Sequence, residues 1–465
     1  VIEDEKLQGI LDDLPFKLNE KQIAALLSYI NGDGHFLLMS EAGGGKTLTI
    51  DILKKYYEDE MITCSSTGVG NQNLHNGEGG NGTAHRVWSI PYHLGDNLEK
   101  VKSSCSNIFA SSSLVKHVII DETSMLNSEA LYVILQRLKR FNKRTSKRKA
   151  RNIRVMFVMD CLQLPPVIKE DAEHYLTEKY GSPYFYRSYL WDEFNPSIIM
   201  LDQVMRQSDK VFKAALDVLR YGEEHRYDGV LNWLNKRVNY NYDKSMFTVA
   251  AYKATVDNVN QRVLHSNPNE KMVFKAITKG TFNLVENDVE KEVVLCKDLE
   301  CIITVNDEND QFFNGTLCTI DLPTQDGCWV TIKSSGEKAF VPLHEYKQEE
   351  TYIMKDVVQN DGGVRDVLKK KEVGCCVQIP ILQASAITCH RAQGKNFSTE
   401  GVVDMGVKGF YEREGSYGQS LLYVALSRYT DVNLITLPRK LHRGHIKVNH
   451  DAIAFWKECK EKSII

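Results

Sequence analysis

Short apolar runs alternate with amphipathic helical stretches over most of the chain, the pattern of a parallel α/β sheet. The runs predict strands at His35–Met39, Val115–Ile120, Val155–Met159, Ile198–Leu201 and Phe247–Ala251. Several end in polar or acidic residues, and open α/β sheets bind ligands beyond the carboxyl ends of their strands. From about residue 296 to 374 the pattern changes to shorter β-like runs: Cys301–Val305, Leu317–Ile320, Cys328–Ile332 and Ala339–Val341. Asn-Gly, Asp-Gly and Ser-Gly turns break them, which predicts a small β-rich insertion. Helix-capable α/β sequence resumes near Gln378. A second insertion is expected between Trp88 and Leu114, where periodicity is poor and Ser is frequent. There is no internal repeat and no long low-complexity tract.

A length of 465 residues suits about three domains. Hydrophobic content of 42% supplies real cores, and 26% charged residues is ordinary for a soluble globular protein. The net charge of −3 means that any nucleic-acid site must come from local patches. One such patch is visible: from Arg137 to Arg154 there are many Lys and Arg residues and no acid. It reads equally as a solvated face or as a phosphate-contacting or nuclear-localisation segment. The eleven cysteines are scattered without a C-x-x-C, so neither a zinc site nor a disulfide framework is legible. Reduced thiols in a cytosolic or nuclear compartment are expected. No stretch reaches the roughly 18 apolar residues of a membrane span, and the N-terminus is not a signal peptide. The first residue is Val, so a processed product or a piece of a longer protein is expected.

Chemistry concentrates after the predicted strands. Ser40-Glu41-Ala42-Gly43-Gly44-Gly45-Lys46-Thr47 follows the first. Glycines let backbone N–H groups turn onto phosphates, Lys46 can reach the β/γ-phosphates, and the Thr47 hydroxyl can hold Mg²⁺. The phosphate-loop pattern asks for Gly where this chain has Ser40. After the second strand, Asp121 and Glu122 present adjacent carboxylates, one suited to Mg²⁺ and one to the attacking water. After the third, Gln163 can hydrogen-bond a γ-phosphate or that water, and Pro165-Pro166 fixes the chain beyond.

With these three elements the sequence resembles the superfamily 1 helicases. It is most similar to the subclass B enzymes of the petite-integration-frequency (PIF), RecD and Dda type. The family usually has Gly where Met159 stands. Leu18-Asn19-Glu20-Lys21-Gln22 resembles its Q-motif, in which Gln22 would grip adenine. Thr67-Gly68-Val69-Gly70 and Thr83-Ala84-His85 resemble single-strand contacts. Leu201 to Gln207 matches motif IV, with Arg206 as a transition-state cation. Ala386 to Gly394 is similar to motif V, and Gln419 to Arg428 to motif VI. Asn314-Gly315-Thr316 resembles a turn in the family's SH3-like module.

The resemblance implies two RecA-like parallel-sheet P-loop domains with a small β-rich SH3-like insertion in the second. The expected boundaries are 1–195 for the first domain, with its own insertion at about 88–114. The second is expected over 196–295 and 375–465, and the β-rich insertion over 296–374. ATP and Mg²⁺ are the expected cofactors. Gln22, Gly43, Gly44, Gly45, Lys46 and Thr47 would bind the nucleotide, and Thr47 and Asp121 the metal. Lys46, Glu122, Gln163, Arg206 and Arg428 would act in catalysis. Thr67, Thr83, His85, Thr388 and His390 would touch the strand. Taken singly, Gln22 suits a helix surface, the arginines suit salt bridges and the histidines suit structural hydrogen bonds. Trp88 is either a stacking or a core residue. The implied activity is 5′-to-3′ DNA unwinding on single-stranded DNA and forks, in replication or repair, inside the cell and away from membranes. The alternatives are a single-strand translocase with little unwinding and a degenerate scaffold. A wedge, if present, is expected in 88–114.

Overall fold

The computed structural model describes residues 4–41, 43–66, 74, 83–91, 95, 115–143, 152–168, 170–201, 209–282, 284, 289–305, 307, 311–312, 316–333, 335–357, 364–393, 395, 397, 399–410 and 418–465. The chain divides into two compact units, one formed by Val1–Val256 with Ile387–Ile465 and the other by Asp257–Ala386.

The first unit holds two parallel sheets. One contains β1 (Phe36–Ser40), β2 (Met61–Ser65), β3 (His117–Asp121), β4 (Arg154–Met159) and β5 (Ser197–Leu201) in the order β2-β3-β4-β1-β5. Both faces of β1 are covered. Phe36 and Leu38 pack with Leu26, Tyr29, Ile50 and Leu53, while Leu37 and Met39 pack with Leu131, Ile134 and Phe157. This two-sided burial is why the strands read as continuous apolar runs. Met159 is fully buried in this core and lies opposite Met39 in the β1–β4 register. Trp88 is also fully buried, so its role is packing. The second sheet runs Ala386–Thr388, Thr248–Ala250, Gly401–Asp404, Ile435–Thr436.

The expected domain limits shift in three places. β5 pairs with β1 from Phe36↔Ser197 to Ser40↔Leu201, so the first sheet continues past residue 195. Helix His450–Lys462, expected with the second sheet, packs Ala452, Ile453, Phe455 and Cys459 into the core of the first. The β-rich unit, expected over 296–374, is the wider 257–386 unit. Ile381–Gln383 completes its antiparallel five-stranded sheet by pairing with Glu300–Ile303. A long hairpin, His344–Val357 with Val364–Gln378, extends from the same unit. Of the Asn-Gly-Thr turn, Asn314 and Gly315 lie outside the described residues.

The basic run resolves at its two ends. Arg137 is 1% exposed and its Nε donates to the Trp88 carbonyl at 3.2 Å. Arg154 donates to the Tyr29 and Gly34 carbonyls and lies 4.5 Å over the Tyr29 ring. Residues 144–151 lie outside the described set. All ten described cysteines are free and buried. No helix among the described residues is long and apolar enough to cross a membrane.

His35 and His117 flank Arg154 in this first core. His35 accepts from the Val155 N–H, and His117 shares a hydrogen bond with the Tyr29 hydroxyl. Burial, then the charge of Arg154, pushes both imidazoles down to about 4. A histidine held neutral in the fold takes up its proton in the unfolded chain first. Stability is therefore full above about pH 6.5 and falls as pH drops from there towards 4. Urea midpoints measured at pH 7 and pH 5 should show this loss, and replacing both histidines with Gln should flatten it.

Candidate active site

The site begins where β1 ends. Gly43 and Gly45 have φ of +84° and +93°, a left-handed geometry that favours glycine. Gly45 is the N-cap of helix Lys46–Tyr57, so the first helical N–H groups face the loop, as an anion site requires. The Lys46 ammonium donates to the carbonyls of Ser40 and Glu41 at 2.9 and 3.0 Å. Thr47 is exposed in the first turn. Ser40, at the usual Gly position, fits because its neighbour has no side chain. A Cβ on Gly44 would lie 2.1 Å from the Ser40 hydroxyl. Gln22 closes the other side. Its Oε1 accepts from the Asn19 N–H in a capping box that starts helix Glu20–Asn31. Its Nε2 lies 2.3 Å from where a Gly45 Cβ would be. Gln22 thus abuts the loop while also capping its helix.

β3 delivers the acidic pair. Asp121 is 7% exposed and accepts the Glu122 N–H at 2.8 Å. Burial first, then the charge of Glu122, raises its carboxyl, against the opposing pull of Lys46. A carboxylate disfavoured in this way gains from a divalent cation beside it. Glu122 sits at φ +52°, ψ +35°, an uncommon conformation for a non-glycine residue. The Ser66 hydroxyl donates to its carbonyl at 2.6 Å. Its side chain Oε2 accepts from Nε2 of Gln393 at 3.0 Å.

β4 delivers a network of which sequence reasoning identified one member. The Gln163 Nε2 donates to Asp160 Oδ2 at 3.0 Å, while its Oε1 is buried without a hydrogen-bond partner among the described residues. Asp160 is fully buried and clasped by Arg220, with NH1 to Oδ2 at 2.6 Å and NH2 to Oδ1 at 2.7 Å. Arg220 NH1 also donates to the Tyr423 hydroxyl at 2.8 Å, and the Tyr221 hydroxyl donates to Glu41 at 2.5 Å. Helix Lys210–Tyr221 carries Arg220 and Tyr221, and helix Leu421–Ser427 carries Tyr423. In sequence, Arg220 looks like an ordinary helix-surface arginine. The one legible clue was the strong apolar stripe of its helix, on whose buried side it falls.

Arg428 follows the same helix as Tyr423 and is 2% exposed. Its Nε donates to the Val424 carbonyl and one NH2 to the Ser427 hydroxyl, at 3.1 and 3.0 Å. Burial lowers its pKa, opposed by Tyr423, Glu122 and Asp160. The carboxylates at the ends of β3 and β4 therefore lie within electrostatic reach of Arg428. Lys46 in turn acts on Asp121 and Asp160. Arg206 and Thr67 lie outside the described residues. Thr83 bridges to Ser65 at the end of β2, and His85 follows on helix Ala84–Trp88. Thr388 caps the turn Cys389–Ala392 by accepting the Arg391 N–H, and His390 lies within that turn. Burial lowers the pKa of both histidines, so each favours its neutral form.

Residues 17–223 match the PIF1-like helicase family model. The chain is 25% identical over 471 residues to the ATP-dependent DNA helicase Pif1 of Campylobacter jejuni, covering 94% of this chain and 96% of that one. It is 26% identical to the ATP-dependent DNA helicase RRM3 of Saccharomyces cerevisiae over 59% of this chain, but only 38% of that longer protein. Bacteroides Pif1 bound to single-stranded DNA superposes with a TM-score of 0.75 at 21% identity, covering 96% of this chain and 98% of that chain. The Candida albicans Pif1 helicase does so at 0.72 and 21%, covering 95% and 99%. These structures share the architecture of two RecA-like α/β domains, to which the two parallel sheets correspond. Over residues 17–223 the chain matches the PIF1-like helicase family, and its similarity to Pif1 helicases extends over nearly its whole length.

Proposed function

We propose that this protein is an ATP-dependent DNA helicase that moves 5′-to-3′ along single-stranded DNA and unwinds duplex. One observation carries the motor part of the reading. Groups from both sheets act on one another at a single locus: Gln393 touches Glu122, and Arg428 acts on Glu122 and Asp160. ATP held by such a locus favours the approach of the two halves, and its cleavage releases them. Lys46 and the first N–H groups of helix Lys46–Tyr57 would hold the β- and γ-phosphates, and Gln22 the adenine. Glu122 would orient and deprotonate the water, and Arg206 and Arg428 would face the charge that develops on the γ-oxygens. Thr47 and Asp121 would hold Mg²⁺, which supplies charge neutralisation between the phosphates. The raised carboxyl of Asp121 fits that role.

The strand would run past Thr67, Thr83, His85, Thr388 and His390. Their hydroxyls and neutral imidazoles suit phosphate contacts that do not read sequence. The C. jejuni and S. cerevisiae relatives bear the name ATP-dependent DNA helicase, which supports DNA as the track. Ser40 and Met159, which stand where the family usually has Gly, are what would favour the scaffold alternative. The accommodation of Ser40 against Gly44, and of Met159 in the core, supports a working loop instead.

The test combines turnover and unwinding. Single-stranded DNA is expected to stimulate ATP hydrolysis, and a 5′-tailed fork is expected to be opened in preference to a 3′-tailed one. Stimulated hydrolysis without strand displacement would leave a translocase. Equal opening of the two forks would refute the direction, and unstimulated hydrolysis the motor.

A further inference from the structure

We infer that Gln393 is the positioning residue through which a bound strand switches on the catalytic base Glu122. The inference rests on the helicase reading above and deepens it. Gln393 is 7% exposed, and its Nε2 donates to Glu122 Oε2 at 3.0 Å. Its Oε1 is buried with no hydrogen-bond partner among the described residues. A buried amide carbonyl left without a partner is costly, and a buried polar group in that condition calls for an explanation. The explanation fits its place. One end of the amide orients the carboxylate that takes the proton, and the other end is free to accept a hydrogen bond from the water that gives it.

The backbone tells where the signal enters. Gln393 is the C-cap of Cys389–Ala392, a single helical turn whose N-cap is Thr388. The Thr388 hydroxyl accepts the Arg391 N–H, and the Gln393 N–H donates to the His390 carbonyl. The two proposed strand contacts, Thr388 and His390, and the Glu122 contact are therefore opposite ends of one closed hydrogen-bonded turn. Cys389 and Ala392 are fully buried and fix it against the sheet. A phosphate bound at Thr388 or His390 would act on the same hydrogen-bonded turn that carries Gln393.

Hydrolysis forms the bond from water oxygen to γ-phosphorus, breaks the bridge to ADP and delivers the water proton to Glu122. Gln393 exchanges no atoms in this step. It sets the angle of the carboxylate, and misplacement of a catalytic group by about 1 Å can cost roughly 100-fold in rate.

The test uses the full chain with Gln393→Met, which keeps length and removes the polar atoms, and Gln393→Glu, which keeps length and polarity but repels Glu122. ATP turnover is measured with and without oligo(dT), together with KM for ATP, oligo(dT) affinity by fluorescence anisotropy and thermal melts. Both variants are expected to lose roughly 10- to 100-fold of DNA-stimulated kcat, with KM and DNA affinity held within about twofold. If wild-type turnover is not stimulated by oligo(dT), the helicase reading itself fails. If the wild type is stimulated and Gln393→Met is stimulated as well, this assignment alone is overturned. A matching loss of DNA affinity, or early melting of both variants, would make Gln393 a structural residue and overturn it too. If only Gln393→Met melts early, Gln393→Glu decides by the same measures.

Discussion

Arg428→Ala is expected to lower DNA-stimulated ATP turnover by roughly three to five powers of ten, the worth of a transition-state arginine in phosphoryl transfer. The chain should stay folded, and the reason lies in how the residue is held. Arg428 is 2% exposed, yet among the described residues its hydrogen bonds go to a carbonyl and a hydroxyl rather than to a carboxylate. Burial pulls its pKa down, and the acids that oppose this, Glu122 and Asp160, act from a distance. A cation kept in the interior with no anion paired to it among the described residues disfavours the folded state. On the proposed reading, the charge that Arg428 answers appears only during reaction. Removing it should therefore leave the denaturation midpoint unchanged or higher while turnover collapses. Single-turnover hydrolysis alongside urea unfolding tests both halves. A variant that keeps turnover, or that unfolds several molar earlier, would show Arg428 to be a packing residue.

The parts of the site that follow a strand were legible because burial on two faces makes each strand an apolar run, and the run ends where the chemistry begins. Ser40 to Thr47, Asp121-Glu122 and Gln163 were read in this way, and each lies at or just beyond the carboxyl end of its strand. Which sheet a strand joins was not legible. β5 is as apolar as any strand of the second sheet, and only its register with β1 assigns it. Helix His450–Lys462 posed the same problem, since an apolar stripe announces burial without naming the surface that covers it. Arg220 was hidden for another reason. Its worth depends on Asp160, which lies 60 positions away, and no local pattern marks a buried arginine whose partner is distant. Gln393 stood inside a recognised motif, but its contact with Glu122 spans 271 positions.

The buried Asp160–Arg220 pair gives the largest expected effect on stability. Arg220→Met leaves the Asp160 carboxylate buried without its clasp, and breaking a buried pair from one side costs about 3–5 kcal/mol. In the native protein burial alone would raise the Asp160 carboxyl, but the charge and hydrogen bonds of Arg220 outweigh it and hold the pKa below the usual range. A carboxyl lowered by folding stabilises the fold above its ordinary pKa and loses that contribution as pH falls through the lowered value. From pH 5 to 8 this contribution is constant in the wild type. In Arg220→Met the balance reverses, because burial now acts unopposed by Arg220. A carboxyl raised by folding favours the fold when protonated and loses that advantage as pH climbs through the raised value. The variant should thus be closest to the wild type near pH 5 and furthest from it near pH 8. Adding Asp160→Asn should recover much of the loss at pH 8, because the uncompensated charge is gone, and little at pH 5. Urea midpoints for the wild type, Arg220→Met and the double variant at the two pH values separate these outcomes. A pH-independent loss would mean that Arg220 contributes packing rather than charge. Turnover should stay low in the double variant even where stability returns, since Gln163 then hangs from a neutral amide in place of the anion that orients it.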